Sequence, residues 1–99
     1  MKVEWTGNAI AQLKSIHDYI ALDSDVFAKR MVDRLTLRSI QIQDHPFSGQ
    51  VVPEFGNESI REFIEGPFRV IYQPTESVLF VLAVIHGARL LTENSLKEQ

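Results

Sequence analysis

The sequence of 99 residues contains no cysteine, which excludes disulfide bonds, thiolate nucleophiles and zinc sites built on cysteine. This absence is typical of a reducing compartment, so we expect a cytoplasmic protein. The longest apolar run, Val78 to Ile85, is much shorter than the roughly 20 residues of a membrane-spanning helix. The N-terminal segment carries Glu4, Lys14 and Asp18 where a signal peptide requires an apolar core. The sequence therefore predicts neither membrane insertion nor export.

An excess of positive charge is also missing, because 10 Lys and Arg residues stand against 13 Asp and Glu residues, for a net charge of −3. Any contact with nucleic acid would therefore need a local basic patch. The motifs G-x-S-x-G, G-x-G-x-x-G and the Walker-type loop are absent, and the histidines are too far apart for a helical metal pair. The sequence predicts no serine hydrolase, dinucleotide or P-loop site, no metal and no cofactor.

The composition that remains is that of one globular domain over residues 1–99, with 44% hydrophobic and 23% charged residues. Alternating apolar and charged residues from Met1 to Trp5 predict a short strand. Thr6 is a candidate cap for a helix from Gly7 to about Leu22, and a second helix follows and ends at His45-Pro46. The buried stripes are predicted to comprise Ile10, Leu13, Ile16 or His17, and Ile20 in the first helix, and Ala28, Met31 or Val32, Leu35, Ser39 and Ile42 in the second.

The second half of the chain is rich in β-branched and aromatic residues. Three runs, Ile60 to Ile64, Phe68 to Gln73 and Val78 to His86, predict strands joined by short turns, and hence an antiparallel meander. The order β, α, α, β, β, β predicts an α+β fold in which the first strand joins the sheet edge and the helical hairpin packs on one face. The polar residues Thr92 to Gln99 predict a frayed or short helical tail.

Polar residues within the strand region are the candidates for chemistry. RNA cleavage without a metal, by attack of the 2′-hydroxyl, requires a base, an acid and a cation, and Glu54, His86 and Arg69 supply them. In the alternative interpretation, Arg61 and Arg69 pair with Glu54, Glu62 or Glu65 to fasten the sheet, and His86 only ends the last strand. The spacing of these residues leaves both interpretations open.

A basic stripe is predicted on the second helix, where Arg30, Arg34 and Arg38 recur every four residues and so share one face. The stripe is either a solvated face balanced by nearby aspartates or a docking surface for an acidic partner.

Several segments, taken in order, resemble the RelE/ParE superfamily of type II toxin-antitoxin toxins, also called plasmid stabilisation proteins. The similar segments cover nearly the whole chain: Val3-Glu4-Trp5-Thr6, His45-Pro46-Phe47-Ser48-Gly49-Gln50, Val52-Pro53-Glu54, Ile60-Arg61-Glu62, Phe68-Arg69-Val70-Ile71-Tyr72 and Val84-Ile85-His86-Gly87-Ala88-Arg89. The resemblance implies a toxin that arrests growth and is neutralised by a cognate antitoxin in a hetero-oligomer.

The resemblance implies one of two targets. ParE-like members poison DNA gyrase without nuclease activity, and Arg61, Arg69 and Arg89 or the helical hairpin would then be the contacts. RelE-like members are mRNA interferases that cut on the ribosome. Glu54, Arg69 and His86 match positions of the base, phosphate-binding and acid residues of YoeB-like nucleases, with Arg61 as a second phosphate contact. The acidic net charge favours the ParE-like branch. A degenerate toxin that only binds its antitoxin is a third possibility.

Overall fold

A mixed sheet and a helical hairpin organise the part of the chain that the computed structural model describes, residues 1–87 and 93–96. The sheet has five strands in the order β1-β5-β4-β3-β2. The elements are β1 (Lys2–Trp5), α1 (Gly7–Ala21), α2 (Asp25–Gln41), a 3₁₀ turn (Ile42–Asp44), β2 (Gln50–Val51), β3 (Arg61–Glu65), β4 (Phe68–Pro74), β5 (Val78–His86) and α3 (Glu93–Leu96). None of the helices in these residues is long and apolar enough to cross a membrane.

The sheet confirms the predicted α+β fold. Strands β3, β4 and β5 form the antiparallel meander, and β1 lies at the edge of the sheet, parallel to β5. Strand β2 was not predicted, because it is only two residues long and lies in a segment that has the composition of a loop. It pairs with Arg61 and Glu62 of β3. Strand β3 begins at Arg61, one residue later than predicted. Of the predicted tail from Thr92 to Gln99, the described part is α3.

Side-chain caps begin both helices of the hairpin. The Thr6 hydroxyl accepts a hydrogen bond from the backbone N–H of Ala9, at 3.1 Å, and confirms the predicted cap. The Ser24 hydroxyl accepts one from the N–H of Phe27, at 3.2 Å, and caps the start of α2. Only three residues lie between the end of α1 and the start of α2. The short joint forces the two helices to run side by side on one face of the sheet, as predicted.

The main core lies between this hairpin and the sheet. In α2 the predicted residues Ala28, Leu35 and Ser39 are buried. In α1 the prediction for Ile10 was wrong, because its side chain is 55% exposed and Ala9 takes the buried position. The reason is that Thr6 and Asn8 bind the carbonyl oxygen of Leu82 and fix the rotation of the helix.

A bulge in β5 shapes the sheet. Tyr72 pairs with Val81 and Ile71 pairs with Ala83, so Leu82 has no residue opposite it. The alternation of side chains along β5 therefore reverses: Val81 and Val84 both face the helices. Beyond β1, the Gln12 side chain accepts a hydrogen bond from the N–H of Val84, at 2.8 Å, in place of a strand partner.

The other face of the sheet is covered by the loop between β2 and β3 and by α3. Val52, Ile71, Ala83 and Ile85 form a second buried cluster there. Phe55 and Ile60 of the loop and Leu96 of α3 pack against it, which the sequence did not predict. Both faces of β4 are thus buried.

The loop before β2 packs closely against the sheet at Gly49. Its N–H donates to the Tyr72 hydroxyl, at 3.0 Å, and a Cβ atom on Gly49 would overlap that hydroxyl and lie 2.6 Å from the Glu62 carbonyl oxygen. We expect Gly49→Ala to lower the free energy of unfolding by about 1–3 kcal/mol, measured by urea denaturation. The exposed neighbour Ser48 is the control, since Ser48→Ala should change stability by less than about 0.5 kcal/mol. Equal stability of the two variants would contradict this packing.

Candidate functional site

Arg69 lies between two carboxylates on the sheet face away from the helical hairpin. Its Nε and Nη2 donate to Glu62, at 2.7 and 3.2 Å. Its Nη1 and Nη2 donate to Glu54, at 2.7 and 2.9 Å. The guanidinium is therefore bound on two of its edges, in the paired geometry that arginine and carboxylate prefer. We call these three residues the Arg69 cluster.

The Arg69 cluster is buried, with side-chain exposures of 9% for Arg69, 17% for Glu54 and 7% for Glu62. The hydrogen bonds that Arg69 donates to Glu54 and, to a lesser extent, to Glu62 raise the pKa of Arg69 above its ordinary value. A raised pKa in the folded state stabilises the fold at every pH below the unfolded value, so this contribution is present throughout the physiological range. A phosphate that bound this guanidinium in the same paired geometry would displace one of the two carboxylates.

Local structure explains how the two carboxylates converge on Arg69. Glu62 of β3 pairs with Ile71 and Ile64 pairs with Arg69, so Glu62 and Arg69 are diagonal neighbours on one face. Glu54 is brought there by a tight turn, in which the N–H groups of Phe55 and Gly56 both donate to the Val52 carbonyl oxygen. Gly56 adopts a φ of 58°, which favours glycine at this position.

His86 lies on the other face of the sheet. It pairs with Phe68 across the strands, and the two rings pack edge to face with their centres 6.3 Å apart. The extra residue Leu82 is responsible, because strict alternation from Leu79 and Val81 would place His86 on the face of Arg69. The structure thus brings Glu54 and Arg69 together, while His86 does not join them.

The His86 side chain lies at an apolar cleft between α1 and the end of the sheet. The cleft has a volume of about 420 Å³ and is lined by Ser15, Ile16, Tyr19, Pro67, Phe68, Val84 and His86. Its lining is mainly hydrophobic, so it suits an apolar side chain better than a phosphate.

Arg61 binds backbone carbonyl groups and does not pair with the glutamates considered from the sequence. Its Nε donates to Glu58 at 2.8 Å, and its Nη1 donates to Phe47 and Gly49, each at 3.2 Å. The guanidinium also lies 5.2 Å from the centre of the Phe47 ring. Arg61 therefore fastens the loop before β2 to the sheet. Arg89, the other predicted contact, lies outside the described residues.

The predicted basic stripe of α2 divides into two parts. Arg34 and Arg38 both bind Glu65 at the end of β3, at 2.5 and 3.0 Å, and so tie the helix to the sheet. Arg30 lies apart from them, 5.8 Å from the centre of the Phe27 ring. Within the described residues no three His, Asp or Glu side chains converge as a metal site would require.

Glu62 is the member of the cluster that the sequence named only as a possible ion-pair partner. The signal that identifies it is positional: in an antiparallel hairpin with a two-residue turn, Glu62 and Arg69 share a face. Glu65 could be identified as the ion-pair partner of Arg34 and Arg38 only after α2 is placed over β3, which requires the tertiary structure.

Removal of Arg69 should destabilise the protein strongly, because two carboxylates would remain close together without a cation. We expect Arg69→Met to lower the free energy of unfolding by about 3–5 kcal/mol. Lys14→Met is a matched control that removes a surface cation whose one ion pair among the described residues is with Asp18, and it should have little effect. Urea denaturation of the two variants measures the difference, and a loss under about 1 kcal/mol for Arg69→Met would show that the cluster is not structural.

Comparison with known proteins agrees with this fold. Residues 3–91 match the family model described as ParE toxin of type II toxin-antitoxin system, parDE. A relative named Toxin RelE2, from Caulobacter vibrioides, is 31% identical over 90 residues, which are 90% of this chain and 98% of the relative.

Among solved structures, the chain is similar to one titled chromosomal ParDE TA system from P. aeruginosa. The TM-score is 0.70 and the identity 21%, over 87% of this chain and 95% of the other, which supports the shared fold. The match to the family model spans most of the sequence, from β1 to beyond β5. The chain therefore belongs to the ParE toxin family of type II toxin-antitoxin systems, within the ParE/RelE superfamily, and an antitoxin is its expected partner.

Proposed function

We propose that this toxin arrests growth by binding and inhibiting DNA gyrase, and that it does not cut mRNA. The observation that carries the proposal is the state of Arg69, whose guanidinium is bound by two carboxylates within the protein. A nuclease would need this cation to stabilise the negative charge that develops on the scissile phosphate. In the Arg69 cluster this cation is already paired with the carboxylates of Glu54 and Glu62.

The position of His86 supports the same conclusion. In the nuclease hypothesis, Glu54 removes the proton of the attacking hydroxyl and His86 protonates the leaving oxygen of the same phosphate. Both groups must therefore reach one phosphorus atom, within hydrogen-bond distance of its oxygens. Glu54 lies over one face of the sheet, whereas His86 pairs with Phe68 on the face covered by the helices.

The charge of the molecule is a third argument. The net charge is −3, and the segment from Pro46 to Ser59 contains Glu54 and Glu58 but no Lys or Arg. A toxin that enters the ribosome must lie among rRNA phosphates, which requires a basic surface. A toxin that binds a protein such as gyrase has no such requirement.

The antitoxin would cover apolar surface that the free toxin leaves open. The cleft beside His86 is hydrophobic, and Tyr19 at its edge is 77% exposed. We propose that an apolar residue of the antitoxin fills this cleft, as an extended segment that folds on binding would do. This assigns His86 to partner binding, without a catalytic role.

The second candidate function is ribosome-dependent mRNA cleavage. The observation in its favour is that Glu54 and Arg69, two of the three residues expected from nuclease relatives, are in direct contact. The name of the Caulobacter relative, Toxin RelE2, also belongs to that side of the superfamily. For cleavage to occur, Arg69 would have to exchange a carboxylate for the phosphate.

A supercoiling assay distinguishes the two functions. We expect the purified toxin to abolish supercoiling by gyrase from its own host and to trap cleaved DNA, and we expect the cognate antitoxin to reverse both effects. In a parallel translation assay the toxin should leave mRNA on ribosomes intact. His86→Ala is the matched variant, and it should inhibit gyrase as well as the unmodified toxin does.

The proposal fails if gyrase keeps full activity at an excess of toxin and mRNA on ribosomes is cut. Loss of that cleavage in His86→Ala, with the fold retained by circular dichroism, would then identify His86 as the acid.

A further inference from the structure

The surface of α2 that faces away from the sheet carries a second stripe of residues. Val26, Arg30, Asp33, Leu37 and Ile40 recur at alternating intervals of four and three residues, which places them along one side of the helix. Val26, Leu37 and Ile40 are 60%, 54% and 52% exposed. Arg30 and Asp33 are exposed as well. We call these five residues the outer stripe.

The outer stripe is separate from the contacts that hold α2 in the fold. The buried residues Ala28, Leu35 and Ser39 lie about half a turn away from it around the helix axis. Arg34 and Arg38, which bind Glu65, lie between the two stripes. The helix therefore has one side packed against its own domain, whereas no described residue covers the outer stripe.

The spacing of the outer stripe is that of the a and d positions of a coiled coil. In an antiparallel pair of such helices, each a position of one helix meets a d position of the other. With Val26 and Asp33 at d and Arg30 and Leu37 at a, the order of these four residues is self-complementary, and Ile40 lies beyond the last layer. In an antiparallel pairing Val26 meets Leu37 and Arg30 meets Asp33, and symmetry repeats both contacts.

We propose that the outer stripe is the interface with a second copy of this chain, in which the two α2 helices pack antiparallel around a two-fold axis. The four layers are Val26 on Leu37, Arg30 on Asp33, and their two symmetry equivalents. Such an interface is isologous, because the same surface is used by both protomers.

The charges select this arrangement over a parallel one. In a parallel pair in register, Arg30 would face Arg30 and Asp33 would face Asp33, and both contacts are repulsive. In the antiparallel pair both become ion pairs between apolar layers. The Asp33 carboxylate forms no hydrogen bond or ion pair with any residue that the structure describes, and Arg30 contacts the face of Phe27, so both charges remain available.

The interface is short, so we expect a weak dimer that forms at high protein concentration. Sedimentation equilibrium of the full chain, from about 1 µM to about 1 mM, should show a reversible monomer–dimer equilibrium. Arg30→Asp and Asp33→Arg should each raise the dissociation constant at least about tenfold, because each places like charges opposite one another. The double variant with both changes restores both ion pairs and should dimerise again. Ile10→Glu, an exposed apolar position on α1, is the control that should dimerise normally.

Cross-linking tests the direction of the helices, since the chain has no cysteine of its own. Val26→Cys and Leu37→Cys variants, mixed and oxidised, should form a disulfide-linked dimer. Neither variant should do so alone, because two copies of residue 26 would lie roughly 16 Å apart along the helix axis. Self-cross-linking of Val26→Cys would overturn the antiparallel geometry. A chain that stays monomeric at every concentration, or a double charge variant that is not restored, would overturn the interface. These outcomes do not depend on whether gyrase is the target.

Discussion

The pairing of one cation, Arg69, with two carboxylates is the contact on which the sheet face opposite the helical hairpin depends. Arg69 joins β4 to Glu62 of β3 and to Glu54 of the loop between β2 and β3. That loop has almost no secondary structure of its own, yet it must cover the cluster of Val52, Ile71, Ala83 and Ile85. A bidentate contact at each carboxylate fixes its position, and the cost of burying three charges is offset only because all three are paired.

The two faces of the sheet consequently have different roles. The face that holds Arg69 is closed by its own loop, and its charges are satisfied internally. The opposite face carries the hairpin and, at its open end, the apolar cleft at His86. The helical side also carries exposed apolar residues on both α1 and α2, and there we place the proposed partner-binding surfaces. This division is the physical basis for proposing a toxin that acts by binding a protein.

Much of this fold follows from sequence patterns, because Thr6, the helix stripes and the three long strands are local signals. The position of His86 does not follow, since it depends on the extra residue Leu82, and a bulge reverses the alternation without a glycine or proline to mark it. Alternation alone would place His86 beside Arg69 and suggest a catalytic site. Likewise Ile10 fits the apolar stripe of α1, but the bonds of Thr6 and Asn8 to β5 rotate Ala9 into the core.

The central claim is that carboxylates occupy Arg69 permanently, and nitrogen-15 NMR of the arginine side chains tests it most directly. The account predicts a slowly exchanging Nε–H resonance for Arg69 that does not move when a single-stranded RNA oligonucleotide is added, even at an excess sufficient to shift the exposed Arg30. A shift or broadening of the Arg69 resonance that saturates with RNA, accompanied by a change at the Glu54 carboxylate, would contradict it. Phosphate would then compete successfully for the guanidinium, and the nuclease mechanism would regain its cation.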